Sequence, residues 1–177
     1  MLRGELAGLR AREDDDIAIL DNELHDDVLT RVRADYRPWR PVPPGSAASG
    51  YRVTGDGEDV ARFSVVELDS GELAGEALLW GIDPHNRTAH IGLSLRPAFR
   101  GRGLGTDVVR VLCRYGFAIL GLHRLQIDTV AGNDAMIAVA ARAGFAAEGT
   151  LRGAAWADGE FLDEVILGQL ASEWERG

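Results

Sequence analysis

The chain has 177 residues, 46% of them hydrophobic and 27% charged, with 28 acidic against 19 basic side chains and a formal net charge of −9. That size and balance fit one ordinary domain over residues 1–177 and exclude fibrous and disordered chains. The acidic excess excludes nucleic acid as a general partner, because phosphate contacts need a basic surface, and it draws cationic substrates instead. The apolar runs are too short to cross a bilayer, and Met1 to Arg12 interleaves charge where a signal peptide has an apolar core. A cytoplasmic protein with no membrane partner is expected. The single cysteine, Cys113, falls inside a helical apolar pattern and reads as a core residue.

In chain order, Leu2 to Glu13 reads as an opening strand with a turn in it. Asp14, Asp15 and Asp16 then supply an N-cap and negative charge for a helical turn, with Ile17, Leu20 and Leu24 spaced to share one face. Three adjacent acids point different ways around a helix, so they read as a capping device and no metal is expected there. A second short helix runs from Asp26 or Asp27 to Ala34. Arg37 to Gly50 holds four of the six prolines and is a loop; Trp39 within it either lines a substrate entrance or packs down. Three antiparallel strands follow, "ARFSVVEL", "GELAGEALLWGI" and "AHIGLSL", the first two joined by "DSG". Val108, Leu112, Tyr115 and Ile119 mark one face of a helix ending near Gly121. "LHRLQIDTV" is a strand, and "NDAMIAVAARAG" a helix opened by Asn133 or Asp134 and closed by Gly144. The last two segments form a hairpin around Asp158-Gly159.

The segment "LRPAFRGRGLGTDVVRVL" carries the clearest chemistry. A loop between strand and helix, stripped of Cβ atoms at Gly101, Gly103 and Gly105, exposes backbone N–H groups that can surround phosphate oxygens, and the helix dipole adds positive potential. Arg100 and Arg102 add charge-assisted donors, and Thr106 a hydroxyl. A Walker loop would need Gly-Lys-Ser/Thr where this chain has Gly105-Thr106-Asp107, and a dinucleotide fingerprint would need a different glycine spacing.

Arg100-Gly101-Arg102-Gly103-Leu104-Gly105 resembles the Arg/Gln-x-x-Gly-x-Gly/Ala motif of the GNAT N-acetyltransferases. "GLHRLQIDTVAGNDAMIAVAARAGF" is similar to the strand, Asn and Gly-Phe segment that follows the motif in that family. "EGTLR", "DGEFLDEVILG" and "LRGELAGLRAREDDD" are similar to its RimJ/RimL-like branch. The resemblance implies a mixed α/β fold in which a mostly antiparallel twisted sheet, flanked by helices, is splayed between two parallel strands. It implies acetyl-coenzyme A as cofactor, its pyrophosphate held by Arg100 to Thr106 and its pantetheine arm laid along Leu93, Ser94 and Leu95, with Asn133 in contact nearby. The acceptor is then a primary amine, on a peptide N-terminus, a polyamine or an aminated small molecule, and a homodimer through the terminal hairpin follows by analogy.

A protonated amine must lose a proton before it attacks, so the site needs a base. Three residues compete for that role. Asp128 stands five places before Asn133, where some family members carry a catalytic Glu. His90, a residue type that exchanges protons near neutral pH, opens the strand leading to the loop. Glu76 lies on the preceding strand. The tyrosine that serves as general acid in many members falls at Ala140 here, and the serine of others at Met136. Two function classes follow: an acyl-CoA-dependent amine acyltransferase, or an acyl-CoA-binding regulatory domain that has lost efficient catalysis. The acceptor pocket is expected from Ala34 to Gly50 and the turn Ala157 to Glu160, with Trp156 bordering it; Trp80 and Trp174 are expected in the core or at a dimer surface.

Overall fold

A computed structural model describes residues 1–34, 38–43, 45–52 and 57–174. Within the proline-rich loop, positions 37 and 44 lie outside the described residues.

Eight strands form one sheet in the order β1-β2-β3-β4-β5-β6-β8-β7. They are β1 (Leu2–Arg3), β2 (Ala7–Arg10), β3 (Val60–Glu67), β4 (Leu73–Asp83), β5 (Thr88–Leu95), β6 (Arg124–Val130), β7 (Ala146–Ala157) and β8 (Glu160–Leu170). Every neighbouring pair is antiparallel except β5 and β6. The helices are α1 (Asp14–Leu20), α2 (Val28–Ala34), α3 (Leu104–Arg114) and α4 (Asp134–Arg142). The sheet is mixed α/β and mostly antiparallel, as expected.

Strand alternation divides the sheet into two faces. Ala77 and Leu79, Ala89 and Ile91, Leu125 and Ile127 are buried with Val108, Leu112 and Cys113 of α3 in the main core. Burial pushes the Cys113 thiol up to about 12, so it packs as an apolar group. On a second, smaller core, Ile17, Leu20 and Leu24 meet Leu73 and Tyr51.

Local chemistry explains the helix ends, with two differences from the sequence reading. The N-cap of α1 is Glu13, one place earlier than the acid triplet, and Asp16 accepts from the Glu13 N–H at 2.9 Å. Asp16 also receives Arg10 at 2.7 and 2.8 Å and the Ser64 hydroxyl at 2.7 Å, so one acid of the triplet is a buried clamp. The second difference lies beyond α3, where Tyr115 to Ile119 form a π-helical turn. Its wider turn carries an extra residue and rotates the face: Gly116 and Phe117 are buried while Ile119 is 58% exposed. Asp27 caps α2 through the Thr30 N–H at 3.3 Å, and Asn133 caps α4.

Candidate active site

The ladder between β5 and β6 is short. Thr88 pairs with Arg124, Ala89 with Leu125 and His90 with Gln126, and there the pairing stops. Both strands continue, β5 to Leu95 on β4 and β6 to Val130 on β8. A gap therefore opens along Ile91 to Leu95, and peptide groups of β5 that face β6 have no ladder partner. A cavity of about 400 Å³ occupies this region, lined by Leu93, Ser94, Asp128, Thr129, Asn133 and Met136 among others.

The glycine loop lies at the far end of β5. After a short 3-10 turn at Pro97–Phe99, Gly101 (φ 72°) and Gly103 (φ 84°) adopt left-handed backbone, and Gly103 is the N-cap of α3. Side chains rarely tolerate that conformation, which is why glycine stands there. The first turn of α3 has no earlier carbonyls to receive its N–H groups; the first such bond runs from Asp107 N to Gly103 O at 3.4 Å. Gly105 serves packing as well. A Cβ there would stand 3.2 Å from Val139 on α4. Leu104 is a core side chain and offers only its backbone, and Thr106 is half-buried in the first turn. Arg100 donates to the Leu95 carbonyl at 2.8 Å and stands 3.7 Å from Asp27, and Arg102 pairs with Glu67 at 2.5 Å. An exposed pair such as Arg100–Asp27 is worth about 0–1 kcal/mol, so an incoming anion can exchange for it, whereas Glu67 is buried.

Asp107 carries a role that loop chemistry alone does not suggest. Buried in the first turn of α3, it accepts from the N–H groups of Glu5, Leu6 and Ala7 at 3.0, 2.9 and 2.8 Å. It ties the β1–β2 turn to the helix that the glycine loop opens.

Of the three base candidates, the structure joins two and separates the third. His90 Nδ1 and Asp128 Oδ2 are 2.6 Å apart, and Gln126 donates to Asp128 Oδ1 at 2.7 Å. An aspartate that accepts from Nδ1–H leaves Nε2 with its lone pair. Trp80 stacks on the imidazole, ring centroids 4.2 Å apart and 23° between planes. Glu76 and Asp128 line the cavity and His90 is not among its described lining residues; the Glu76 carboxylate receives Arg12 at 3.0 Å, and Arg12 further donates to the carbonyls of Tyr51 and Phe63. Asn133 spends its side chain locally, accepting from Met136 N at 3.2 Å and donating to Thr129 at 2.9 Å.

Several wall residues differ from expectation. Trp80 belongs to the cavity wall instead of the core, because the pairing of Trp80 with His90 sets both on the face opposite the core. Trp156 stands at the far hairpin tip, 62% exposed, edge-on to Phe161 and away from the cavity lining. Trp174 packs on Phe117. Trp39 donates to the His25 carbonyl at 2.9 Å and stacks on His25, which supports packing over an entrance role. The expected walls contribute only Gly50 from 34–50 and nothing from 157–160 among the described residues. Arg31, Tyr51 and Arg62 line the cavity instead. Arg62 was legible in principle, since it pairs with Leu78 on the same face; Tyr51 lies in a segment with no periodicity to announce it. Burial and the nearby Glu76 push the Tyr51 hydroxyl upward, so it stays protonated.

Fold and site together define a class: a mixed α/β protein with a gap and a cavity in its own sheet and a glycine-rich helix N-terminus at one end. The chain belongs to the GNAT acetyltransferases, for the model of the acetyltransferase (GNAT) domain matches residues 8–146. The protein named "Putative ribosomal N-acetyltransferase YdaF" of Bacillus subtilis is 37% identical over 108 residues, 61% of this chain and 59% of that protein. Spermidine N(1)-acetyltransferase of Escherichia coli K12 is 31% identical over 106 residues, 60% of this chain and 56% of that one. Both matches thus span less than two thirds of those relatives. The crystal structure of spermidine N-acetyltransferase from Vibrio cholerae, in complex with CoA and spermine, superposes with TM-score 0.79 at 21% identity, covering 95% of this chain and 97% of that one. That enzyme also has a dodecameric structure.

Proposed function

We propose that this protein, as a single acetyltransferase domain over residues 1–177, moves the acetyl group of acetyl-CoA directly to a primary amine in a ternary complex. The observation that carries the reading is the parting of β5 from β6 after the His90–Gln126 pair, with a glycine-rich helix N-terminus at the end of the opened strand. The residues present suit the cofactor. Backbone N–H groups from Gly101 to Thr106 match a pyrophosphate, and the unladdered edge at Leu93, Ser94 and Leu95 matches an extended amide-bearing arm. Bound there, acetyl-CoA supplies an activated acetyl carbonyl as the electrophile.

The chain's own groups do the rest. His90 takes the proton from the incoming ammonium at Nε2, and Asp128 accepts from Nδ1–H and holds the ring in that tautomer. Trp80 fixes the imidazole plane by stacking. Glu76 acts through Arg12 as part of the wall, not as the base. Peptide N–H groups on the free edge of β5 polarise the carbonyl oxygen as negative charge develops on it. Positioning in the gap supplies much of the acceleration.

The finer assignments follow the ribosomal name of the YdaF relative and the sequence resemblance: a RimJ/RimL-like member, cytoplasmic, acting on a small-molecule or peptide amine that arrives as a cation drawn by the net charge of −9. Assembly through the terminal hairpin as a homodimer is supported by its exposed apolar tip. The deciding experiment is release of free thiol from acetyl-CoA against a panel of amines, with calorimetry of acetyl-CoA binding alongside. Thiol release that depends on an amine supports the transferase; tight binding with no release to any amine points to the regulatory domain, and no binding defeats both.

A further inference from the structure

Strand β6 carries its polar chemistry on one face. Leu125 and Ile127 belong to the main core, so Arg124, Gln126 and Asp128 stand in a row on the opposite face. Their side chains are joined end to end. Arg124 Nη2 donates to Gln126 Oε1 at 3.0 Å, Gln126 Nε2 donates to Asp128 Oδ1 at 2.7 Å, and Asp128 Oδ2 lies 2.6 Å from His90 Nδ1.

The row is anchored from two strands away. Arg124 also donates through both of its Nη atoms to the Glu148 carboxylate on β7, at 2.8 Å from Nη1. Strand β8 runs between them, and two features clear the way. Glu148 is the extra residue of a β-bulge between the pairs Ala147–Leu167 and Gly149–Ile166, and a bulge re-aims its side chain. Beneath the ion pair lies Gly168, the β8 partner of both Gln126 and Ala146. A Cβ there would collide with Glu148 and stand 2.7 Å from Arg124 Nη2.

Polarity gives this row one direction. A guanidinium only donates and an ionised carboxylate only accepts, so Arg124 takes the Gln126 oxygen and leaves its NH₂ group for Asp128. We infer that Gln126 is a positioning residue for the reaction: its amide, oriented by the Arg124–Glu148 pair, holds one oxygen of Asp128 so that the other stays on His90 Nδ1. The inference rests on the transferase reading above. A carboxylate held at one oxygen swings about a broad χ2 torsion. Held at both, it keeps the imidazole tautomer and ring plane that leave Nε2 for the proton.

Three variants test it, read by free-thiol release from acetyl-CoA with spermidine, lysine and peptides with a free N-terminus, at about pH 8, where a glutamate is ionised. Gln126→Glu keeps the shape and still accepts from Arg124, but offers Asp128 no donor; Gln126→Leu loses both bonds. Each is expected to lower kcat roughly tenfold, the worth of a hydrogen bond to a charged group, while the amine KM and the acetyl-CoA affinity by calorimetry barely move. Gly168→Ala lies outside the described cavity lining and displaces the pair that orients the amide, so it should lower kcat in the same way by a smaller factor. Wild-type kcat in Gln126→Glu or in Gly168→Ala, or a loss carried by KM, overturns the inference and leaves the transferase standing. Transfer by the wild type to none of these amines overturns the transferase reading, and the inference with it.

Discussion

His90 and Asp128 lie 38 positions apart, and their shared hydrogen bond turns two rival candidates into one unit. Residues that act as a unit are not additive when removed. His90→Ala should lower kcat by on the order of 10²-fold or more, and the double variant with Asp128→Asn should cost little beyond the larger single effect. Acetyl-CoA affinity, read by calorimetry, should barely change in all three; full additivity would mean separate roles. Glu76 predicts a different signature. Its pair with Arg12 is buried on both sides, so Glu76→Gln leaves a guanidinium without its counter-charge and should cost about 3–5 kcal/mol of unfolding free energy in urea titrations. A stable but inactive Glu76→Gln protein would restore Glu76 as the base. The sequence named all three acids and bases, because residue type announces proton chemistry. It left the choice open because hydrogen-bond partners across strands are set by register.

At the scale of elements, the glycine loop was the most legible feature, for its signal is local: left-handed backbone at Gly101 and Gly103 needs glycine wherever the chain goes. Gly103→Asp puts a side chain on φ 84° and a negative charge at the mouth of α3. It should abolish acetyl-CoA binding in calorimetry while circular dichroism stays native, and retained binding would remove the loop from the cofactor site. Helix α1 gives an independent, pH-dependent test. Burial works to raise the Asp16 carboxyl, but Arg10, the Glu13 N–H and the Ser64 hydroxyl outweigh it and hold the group below the ordinary carboxylate range. A depressed folded value means the clamp's contribution is complete above the unfolded carboxyl pKa of about 3.9 and is lost as pH falls through the lower folded value. Melting curves should therefore drop steeply below pH ~4, and Asp16→Asn should start lower at neutral pH and fall less steeply in acid. What the sequence missed at this scale came from geometry that periodicity does not encode. The π turn after Arg114 rotates Ile119 outward, and Asp107 holds the β1–β2 turn through hydrogen bonds from residues 100 or more positions away, which no local pattern encodes.

For the whole molecule, the β7–β8 hairpin leaves large apolar side chains bare at its tip. Trp156 and Phe161 at its tip are 62% and 68% exposed, and Leu151 is exposed further along β7. Apolar surface of that kind, bare in one chain, marks a contact surface. Phe161→Glu should shift the molecule to monomer by sedimentation velocity if the hairpin is the dimer contact, and an unchanged oligomer would move the interface elsewhere. The order of elements and the strand–helix–strand crossover were carried by sequence, since apolar period, glycine and cap residues act within a few positions; the opening of the sheet beside the glycine loop was expected only from the family resemblance. The acceptor wall was not. Arg31 from α2, Tyr51 from an unpatterned stretch and Arg62 from β3 meet only because the chain folds α1 and α2 over the face of the sheet opposite α3. By itself the sequence determined the order of elements, the glycine loop and the short roster of acids and bases, each written in local chemistry. Only the tertiary structure decided which of those groups share a proton, which carboxylates are already bound, and what faces the acceptor, because each depends on contacts between residues tens of positions apart.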